Sequence, residues 1–410
     1  MIATGWFTVI ADTYWLAVAV GAAVFVAWNN GSNNAGNIIG TVVGSRALSL
    51  RKALILASLF EFVGAVLFGR FVSLTLMRGI IDITLIQDTR IVIAGMISAL
   101  LATGLWVLIA SILKVPMSIS ENIVGGIMGF AIASLGLSHI NWSTISFIAA
   151  TWLYLPAVSA GLAFALYKLY GKALQNEKLL PYVLATSIFV MVFSSAFMLI
   201  ISVPSVSDVT HTLLVSLLVA VLTIPVIIAV CKLYIRVFSR ALKREVYVKL
   251  LLLVSAAAIA FSHGAHDVAN SAGPLSAIML ALTSSTGLPS TITVSEVALV
   301  IAALGMSVGI VMWGSRVVEV IGTGITTLTY TSAFCAQLAA SLAILIITRL
   351  GLPVSTTIAI VGSVAGVGLA KGIKAINFKT LMRIITTWVI ELPAVMATSA
   401  LLYMLMIRLI

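Results

Sequence analysis

The sequence predicts an all-α integral membrane protein with about ten to twelve membrane helices, some of them broken or re-entrant. Of its 410 residues, 61% are hydrophobic and only 9% are charged, and the mean hydropathy is +1.21. This composition excludes a soluble globular domain. In addition, the same order of polar and apolar landmarks occurs twice along the chain, which predicts two internal repeats.

A helix needs roughly 20 apolar residues to cross the hydrocarbon core of a bilayer. Several apolar runs fit or approach this length: Val9–Ala27, Ala53–Phe71, Ile91–Leu113, Ile145–Tyr167, Tyr182–Val203, Leu213–Val230, Leu250–Phe261, Val297–Trp313, Phe334–Ile347 and Ile384–Met406. The first run lacks a basic amino-terminal region and a cleavage motif, so we expect it to remain in the mature protein.

Four segments of the chain interrupt this apolar pattern. They begin near Gly31, Pro116, Gly264 and Pro353 and are rich in Gly, Pro, Ser and Asn. Irregular backbone is tolerated at membrane depth only where protein or water covers it. We therefore predict broken or re-entrant elements at all four places.

Two of these segments, Trp28–Gly40 and Ser262–Gly273, are copies of each other. In each, a Gly is followed two residues later by a polar pair, then by an Asn and a closing Gly. Polar side chains are costly inside a bilayer, so their presence at corresponding places of two repeats predicts a polar binding site at the repeat interface. The glycines are expected to let the backbone approach a ligand closely.

The other landmarks are also duplicated. The same spacing relates four pairs of residues: Pro116 and Pro353, Gly125 and Gly362, Gly129 and Gly366, and Pro156 and Pro393. Trp152 lies just before Pro156, and Trp388 lies just before Pro393. The Gly129 and Gly366 stripes are expected to serve close helix packing. We therefore predict a first repeat at residues 1–170, inter-repeat helices with a basic loop at 171–249, and a second repeat at 250–410.

The net charge of +11 is concentrated at the ends of apolar runs. This distribution indicates topology rather than nucleic-acid binding. The densest basic segment, Lys232–Lys249, is predicted to be a cytoplasmic loop by the positive-inside rule. Further candidates for the cytoplasmic side are Lys168, Lys172, Lys178, Lys371, Lys374, Lys379 and Arg383.

Several motifs together resemble the inorganic phosphate transporter (PiT) family of secondary transporters, which also includes sulfate permeases. They are Gly264–Asn270 with Gly273–Leu275, Gly40–Ser45, Phe60–Glu61 and Gly351–Thr357. The resemblance covers nearly the whole chain. It implies inverted repeats, an anion held between them near the midplane, coupling to sodium or protons, and homodimers.

A buried oxyanion can be held without Arg if helix amino termini direct their free N–H groups toward it. Ser and Thr hydroxyls complete such a site, and they follow both Pro116 and Pro353. The predicted anion-binding residues are Ser118, Ser120, Ser355, Thr356, Thr357, Asn37 and Asn270.

Amide and carboxylate oxygens are the ligands that a small hard cation prefers. Sodium is predicted at Asn34, Asn37, Asp267 and Asn270, where Asp267 supplies the balancing charge. The residues predicted to bind or couple a cation are Asn33, Asn34, Asp267, His266 and Glu121.

The chain departs from the family pattern at these positions. The family carries Asn-Asp in both polar segments, whereas this chain has Asn33–Asn34 and His266–Asp267, and Glu121 stands where the family has His. We hypothesise that Glu121 restores the carboxylate missing at Asn34. His266 or Glu121 would then carry protons, which keeps proton coupling open beside sodium coupling.

The family resemblance implies phosphate as substrate, with sulfate as the alternative. The residues leave both open, because a donor-only site suited to sulfate remains if Asp267 binds a cation and Glu121 points away. Phosphate carries at least one P–OH that needs an acceptor, whereas sulfate suits a site made only of donors, so Asp267 and Glu121 favour phosphate if they face the anion. An anion channel is disfavoured because the polar residues cluster instead of lining a pathway. No enzyme chemistry or cofactor is predicted. A purely structural role is open for three acids, as buried partners of Arg or Lys or as residues at helix ends: Glu61, Glu319 and Glu391.

Overall fold

The computed structural model describes residues 2–176, 178–200, 209–238, 243–284, 288–289, 292–349 and 353–410. Its helices are α1 (Ile2–Gly44), α2 (Leu50–Phe68), α3 (Arg70–Leu74), α4 (Thr89–Ile112), α5 (Ile119–Ser134), α6 (Trp142–Ala173), α7 (Leu180–Ile200), α8 (Val209–Phe238), α9 (Lys243–Asp267), α10 (Ala269–Thr283), α11 (Glu296–Trp313), α12 (Tyr330–Arg349), α13 (Thr356–Lys371) and α14 (Phe378–Met406). Within these residues, β structure is limited to one isolated bridge between Ile81 and Ile140.

The predicted fold class is confirmed. Over the described ranges, seven helical segments are long and apolar enough to cross a membrane, and α2 with the following residues up to Gly79 forms a further span bent by 54°. Four shorter apolar helical segments, in α5, α7, α8 and α13, bring the membrane elements within the predicted range of ten to twelve. Exposed side chains such as Leu153 and Leu401 are apolar, as lipid contact requires.

The break predicted near Gly31 is wrong. Helix α1 continues without interruption from Ile2 to Gly44. Gly31 serves packing instead, because a Cβ there would overlap the carbonyl oxygen of Met306 on α11. Asn34 and Asn37 of this segment donate to the side chains of Asn30 and Asn34, within the same continuous helix.

Two of the other interruptions agree with the prediction, and the one near Gly264 is slight. Helix α9 ends at Asp267 and α10 starts at Ala269, but the residue between them, Val268, has helical dihedral angles and Glu245–Thr283 forms one apolar span. An irregular segment separates α4 from α5, and α13 starts at Thr356, three residues after Pro353. These breaks place the ends of three helices deep within the bundle, where Ser118, Asp267 and Ser355 are all buried.

The same capping residues recur in the two halves. Ser118 caps α5 and Ser355 caps α13, each accepting a hydrogen bond from the backbone N–H three residues later. Asn141 caps α6 and Asn377 caps α14 in the same way. Both long capped helices contain an internal proline, Pro156 in α6 and Pro393 in α14. The last two helices of each half, α5–α6 and α13–α14, therefore match in their caps and internal prolines.

Close helix contacts run between the halves at glycines. A Cβ on Gly264 of α9 would overlap the carbonyl oxygen of Glu61 on α2, and one on Gly64 of α2 would overlap that of Phe261 on α9. The predicted packing role of Gly129 and Gly366 is confirmed, since they meet the backbones of α14 and α6. Gly31, Gly40, Gly264 and Gly273 thus face neighbouring helices, which corrects their expected approach to a ligand.

We expect Gly264→Ala to lower the thermal unfolding midpoint of the protein clearly. The added methyl group would overlap backbone that cannot rotate away, and overpacking of this kind typically costs about 1–3 kcal/mol or more. Gly161→Ala in α6 is the matched control, because nothing lies within 4 Å of a Cβ at that position. The measurement is the thermal unfolding midpoint of the purified variants. Equal midpoints for both variants would contradict the packing role.

The basic segment Lys232–Lys249 is mainly helical rather than a loop. Helix α8 continues to Phe238 and α9 begins at Lys243. Residues 239–242 of this predicted loop lie outside the described residues. Because consecutive long helices are joined here, both helix ends belong to the same face of the molecule.

The buried apolar residues form two large clusters that meet along α1. Val26 and Ala27 belong to a cluster with residues of α4, α5 and α10, whereas Ala35 and Ile38 belong to one with residues of α9, α12 and α13. The polar segment of α1 lies between these two sets of residues along the helix. The fold therefore places the polar side chains at the junction of two apolar cores.

Candidate functional site

All of the predicted site residues are buried. Asn33, Asn34, His266, Asn270 and Ser355 have no exposed surface, and the largest exposed fraction in the predicted set is the 4% of Glu121. Buried polar groups are retained only where they are hydrogen-bonded or bind a ligand. Their partners therefore indicate what each residue does.

The two copied segments meet through Asn34 of α1 and Asp267 of α9. Asn34 Nδ2 donates to Asp267 Oδ2 at 2.9 Å and to Asn30 Oδ1 at 2.8 Å. Asn30 Nδ2 in turn donates to the backbone oxygen of Asp267 at 3.0 Å. The polar segments of the two halves thus form one hydrogen-bonded cluster.

Thr357, at the start of α13, connects this cluster to the segment before α5. Its Oγ1 accepts a hydrogen bond from Asn37 Nδ2 at 2.8 Å and donates to the backbone oxygen of Met117 at 2.9 Å. Thr356 Oγ1 donates to Asp267 Oδ2 at 3.3 Å. The start of α13 therefore contacts polar residues from both halves of the chain.

The imidazole of His266 holds the second oxygen of Asp267. Its Nε2 accepts the backbone N–H of Val354 at 3.0 Å, so the ring proton must lie on Nδ1, which is 2.8 Å from Asp267 Oδ1. With one nitrogen accepting and the other donating, the ring is neutral in this arrangement. His266 thus orients the carboxylate and links it to the segment that precedes α13.

His263 lies between two carboxylates, one turn before Asp267 on α9. Its Nδ1 is 3.0 Å from Glu61 Oε1 and its Nε2 is 3.3 Å from Asp267 Oδ2. The second contact is electrostatic, since Nε2 does not have hydrogen-bond geometry toward this oxygen. Glu61 is therefore a buried partner of His rather than of the Arg or Lys that the sequence analysis considered.

Glu121 and Glu391 lie at the start of α5. Glu391 Oε1 of α14 accepts the backbone N–H of Ser118 at 3.2 Å. Glu121 has a buried side-chain oxygen without a hydrogen-bond partner, and its side chain lines a mainly apolar cavity of about 570 Å³ beside Trp152 and Trp388. No contact between Glu121 and Asn34 occurs in the described structure, so their predicted compensation would have to act at a distance.

Asn33 and Asn270 occupy the edge of the cluster. Asn33 holds the segment before α5, with Nδ2 donating to Ser111 Oγ and to the oxygen of Val115, and Oδ1 accepting the N–H of Met117. Asn270 Nδ2 lies 3.3 Å from Ser120 Oγ. Asn33 thus has a positioning role, and Asn270 links α10 to α5.

Two amide oxygens in this region fit the predicted cation ligands. Among the described residues, Asn37 Oδ1 and Asn270 Oδ1 are buried and have no hydrogen-bond partner. A buried carbonyl oxygen without a donor is costly in the absence of a ligand. These oxygens and the Asp267 carboxylate are the donor types that sodium prefers.

The serines at both helix starts act as caps. Ser355 Oγ accepts the N–H of Ile358 at 3.1 Å, and Ser118 Oγ accepts that of Glu121 at 3.4 Å. The first N–H groups of a helix have no partner within the helix. The backbone amides that follow Ser118 and Ser355 are therefore the better anion donors, with the serine hydroxyls adding to them.

Most of the sequence-predicted set falls into three groups. Asn34, Asn37, Asp267, Thr356 and Thr357 form one cluster together with His266. The second group is the pair of Ser120 and Asn270, and the third is Glu121 beside Glu391. The remaining three residues are the caps Ser118 and Ser355 and the positioning residue Asn33. No site role was predicted for Asn30, His263, Glu61 or Glu391. In the sequence, these residues could have been recognised by their polarity inside apolar stretches, and Glu61 also by its place in a family motif.

Comparison with known proteins identifies relatives over almost the full chain. The family described as "Phosphate transporter family" matches residues 30–399. A Haemophilus influenzae protein named "Putative phosphate permease" is 33% identical over 395 residues, which cover 93% of each chain. The Arabidopsis thaliana protein "Inorganic phosphate transporter 2-1, chloroplastic" is 30% identical over 92% of this chain and 70% of its own length.

A solved structure has the same fold. It is named "The sodium-dependent phosphate transporter" and superposes with a TM-score of 0.90 at 31% identity, covering 97% of this chain and 100% of the other. The resemblance seen in the motifs is thereby confirmed, and the protein is a transporter rather than an enzyme. The chain belongs to the phosphate transporter family.

Proposed function

We propose that this protein is a symporter that carries inorganic phosphate across the cell membrane, driven by a sodium gradient. The main support is the hydrogen-bonded cluster in which Asn34 and Asn37 of the first half meet Asp267 and Thr357 of the second. A polar cluster to which both halves contribute, next to the irregular segments before α5 and α13, is typical of transporters that alternate access around a fixed site.

The proposed anion position lies between the amino termini of α5 and α13. Both helices begin inside the protein at capping serines, so their N–H groups and positive dipole ends are directed into the interior. Two such termini, with the hydroxyl of Ser120, can hold a tetrahedral oxyanion without Arg. The hydroxyls of Thr356 and Thr357, which donate to Asp267 and Met117 in this structure, would add to the site by turning toward the anion. The relatives named as phosphate transporters support phosphate as this anion.

The proposed cation position includes Asp267 and the amide oxygens of Asn34, Asn37 and Asn270. A bound cation would balance the carboxylate and strengthen the binding of a nearby anion, and by linkage the anion would strengthen cation binding equally. Sodium is favoured over protons because the neutral His266 already donates to Asp267. The named sodium dependence of the structural neighbour supports this choice.

We also propose that the two halves are inverted repeats, consisting of α1–α6 and α9–α14. The paired caps and prolines, and the reciprocal glycine contacts between α2 and α9, support this division. We propose the junctions at Ala173 and Lys243, the helix ends that lie near residues 170 and 249. The basic ends of α8 and α9 are proposed to be cytoplasmic, and the family resemblance favours a homodimer.

Uptake by proteoliposomes tests substrate and coupling together. We expect an inward sodium gradient to drive uptake of labelled phosphate well above that of labelled sulfate, because the site carries carboxylates that can accept the P–OH hydrogen. A proton gradient without sodium should drive little uptake. Preference for sulfate would contradict the proposed substrate, and full uptake with a proton gradient alone would contradict sodium coupling.

A further inference from the structure

A cavity of about 270 Å³, separate from the apolar one beside Trp152, lies against the segment that leads into α5. Its walls are formed by residues of that segment, of the stretch after α11 and of the start of α14: Lys114, Val115, Pro116, Arg316, Glu319, Val320, Thr323, Gly324, Thr380, Arg383 and Ile384. We propose that this cavity is a second anion site, an exit site that takes inorganic phosphate between the central site and the cytoplasm. The inference rests on the proposed phosphate transport.

The charge of the cavity favours an anion. Lys114, Arg316 and Arg383 contribute three positive charges, and Glu319 contributes one negative charge. Among the described residues, no ion pair joins Glu319 to any of these cations, so its charge does not neutralise them at contact distance. Phosphate carries one to two negative charges at neutral pH, which matches the net charge of the walls.

The polar groups of the cavity also suit the chemistry of phosphate. Two guanidinium groups and an ammonium group donate to phosphate oxygens, and Arg matches this geometry particularly well. The hydroxyl groups of Thr323 and Thr380 lie in the same walls. The Glu319 carboxylate is an acceptor for a P–OH hydrogen, which sulfate lacks.

Two of the cations are held by local structure. The guanidinium carbon of Arg316 lies 4.2 Å from the centre of the Trp313 ring, in a cation–π contact that restricts its position. Lys114 adopts φ of 56°, a left-handed conformation in which Gly is usually found. Lys114 follows the end of α4, at a position where Gly is common, and its side chain brings a positive charge to the cavity wall.

The wall of the cavity is hydrogen-bonded to a residue at the edge of the central cluster. Val115, in its wall, accepts a hydrogen bond from Asn33 at 3.1 Å through its backbone oxygen. The next residue but one, Met117, accepts from Thr357. The same short segment thus forms part of the cavity wall and contacts the start of α13, which puts the cavity next to the central cluster.

The face of the membrane follows from the basic residues around it. Arg383 lines the cavity and belongs to the basic stretch from Lys371 onward, which the positive-inside rule assigns to the cytoplasm. The site would therefore be used when phosphate leaves the protein on the cytoplasmic side, and would bind cytoplasmic phosphate when transport is reversed.

Phosphate flux measured from both faces tests the exit site. In right-side-out membrane vesicles, Arg316→Gln and Arg383→Gln are expected to raise the KM for internal phosphate in efflux by about three- to tenfold, the range for a partly exposed charged contact. The KM for external phosphate in uptake should stay within about twofold. Arg316→Lys and Arg383→Lys, which keep the charge, should restore part of the internal affinity.

Lys374→Gln is the matched control, because Lys374 is an exposed cation of the same basic stretch and is not part of the cavity wall. An unchanged internal KM in the two Gln variants would overturn the exit site while leaving phosphate transport intact. Equal shifts on both faces, or an equal shift in Lys374→Gln, would overturn it as well. Absence of phosphate flux in wild-type vesicles would overturn the proposed function, and the exit site with it.

Discussion

Replacement of Asp267 by Asn is expected to lower sodium-driven phosphate uptake by at least about 100-fold, since removing one partner from a buried charged network costs about 3–5 kcal/mol. The carboxylate accepts hydrogen bonds from Asn34, Thr356 and His266. An amide offers one oxygen and one NH₂ group, so at least one donor would face another donor. It also cannot balance a bound cation.

The measurement is the initial rate of labelled phosphate uptake, normalised to the amount of protein in the membrane. Glu245→Gln is the control, because Glu245 is an exposed carboxylate near the start of the same helix and should tolerate the same change. A wild-type uptake rate in the Asp267→Asn variant would remove Asp267 from the mechanism.

Replacement of Asn34 by Asp is expected to lower uptake at neutral pH by roughly ten- to a hundredfold, the effect of about 1.4–2.8 kcal/mol. In the wild-type protein, Asn34 donates hydrogen bonds to Asp267 and to Asn30, whereas a carboxylate at this position would present only acceptors to both. Two carboxylates at hydrogen-bond distance in the protein interior cannot both stay ionised. Uptake should therefore recover partly as the pH falls, because protonating one carboxyl group restores a donor.

Asn141→Asp is the control for this substitution. Asn141 is exposed and caps α6, a position where Asp serves as well as Asn. The pH profile of uptake should therefore stay unchanged in that variant. An Asn34→Asp protein with the wild-type rate and pH profile would show that the contact with Asp267 does not matter for transport.

The same variant tests the hypothesis that Glu121 compensates for Asn34. If it does, Glu121→Gln should impair uptake by itself and should partly restore uptake to the Asn34→Asp protein, with a coupling of about 0.5–3 kcal/mol. The structure gives the Glu121 side chain another charged neighbour, Glu391, whose carboxylate accepts the backbone N–H of Ser118. Simple addition of the two single effects would contradict compensation.

Many features of the site could be predicted from sequence because they are local. A serine two residues after a proline, followed by an apolar stretch, specifies a capped helix start, and both Ser118 and Ser355 are found in that role. The break near Gly264 is local as well. The break predicted at Gly31 failed because glycine also serves close helix contact, and only the position of Met306 on α11 distinguishes the two uses.

The partners of the buried charges could not be predicted in the same way. Glu61 and His263 are about two hundred residues apart in sequence, and their contact depends on how α2 packs against α9. Glu391 reaches Ser118 only because α14 packs against α5. A sequence shows that a charge is buried in apolar surroundings, but it does not show which helix brings the partner.

The sequence by itself predicted a membrane transporter with polar motifs at two corresponding places of the chain, because hydropathy, duplicated motifs and helix-capping residues are properties of short stretches of chain. Only the tertiary structure decided that Asn34 contacts Asp267, that Glu121 lies beside Glu391, and that Lys114, Arg316 and Arg383 line one cavity. These contacts join residues from distant helices, and their distances depend on helix packing, which no short stretch of sequence specifies.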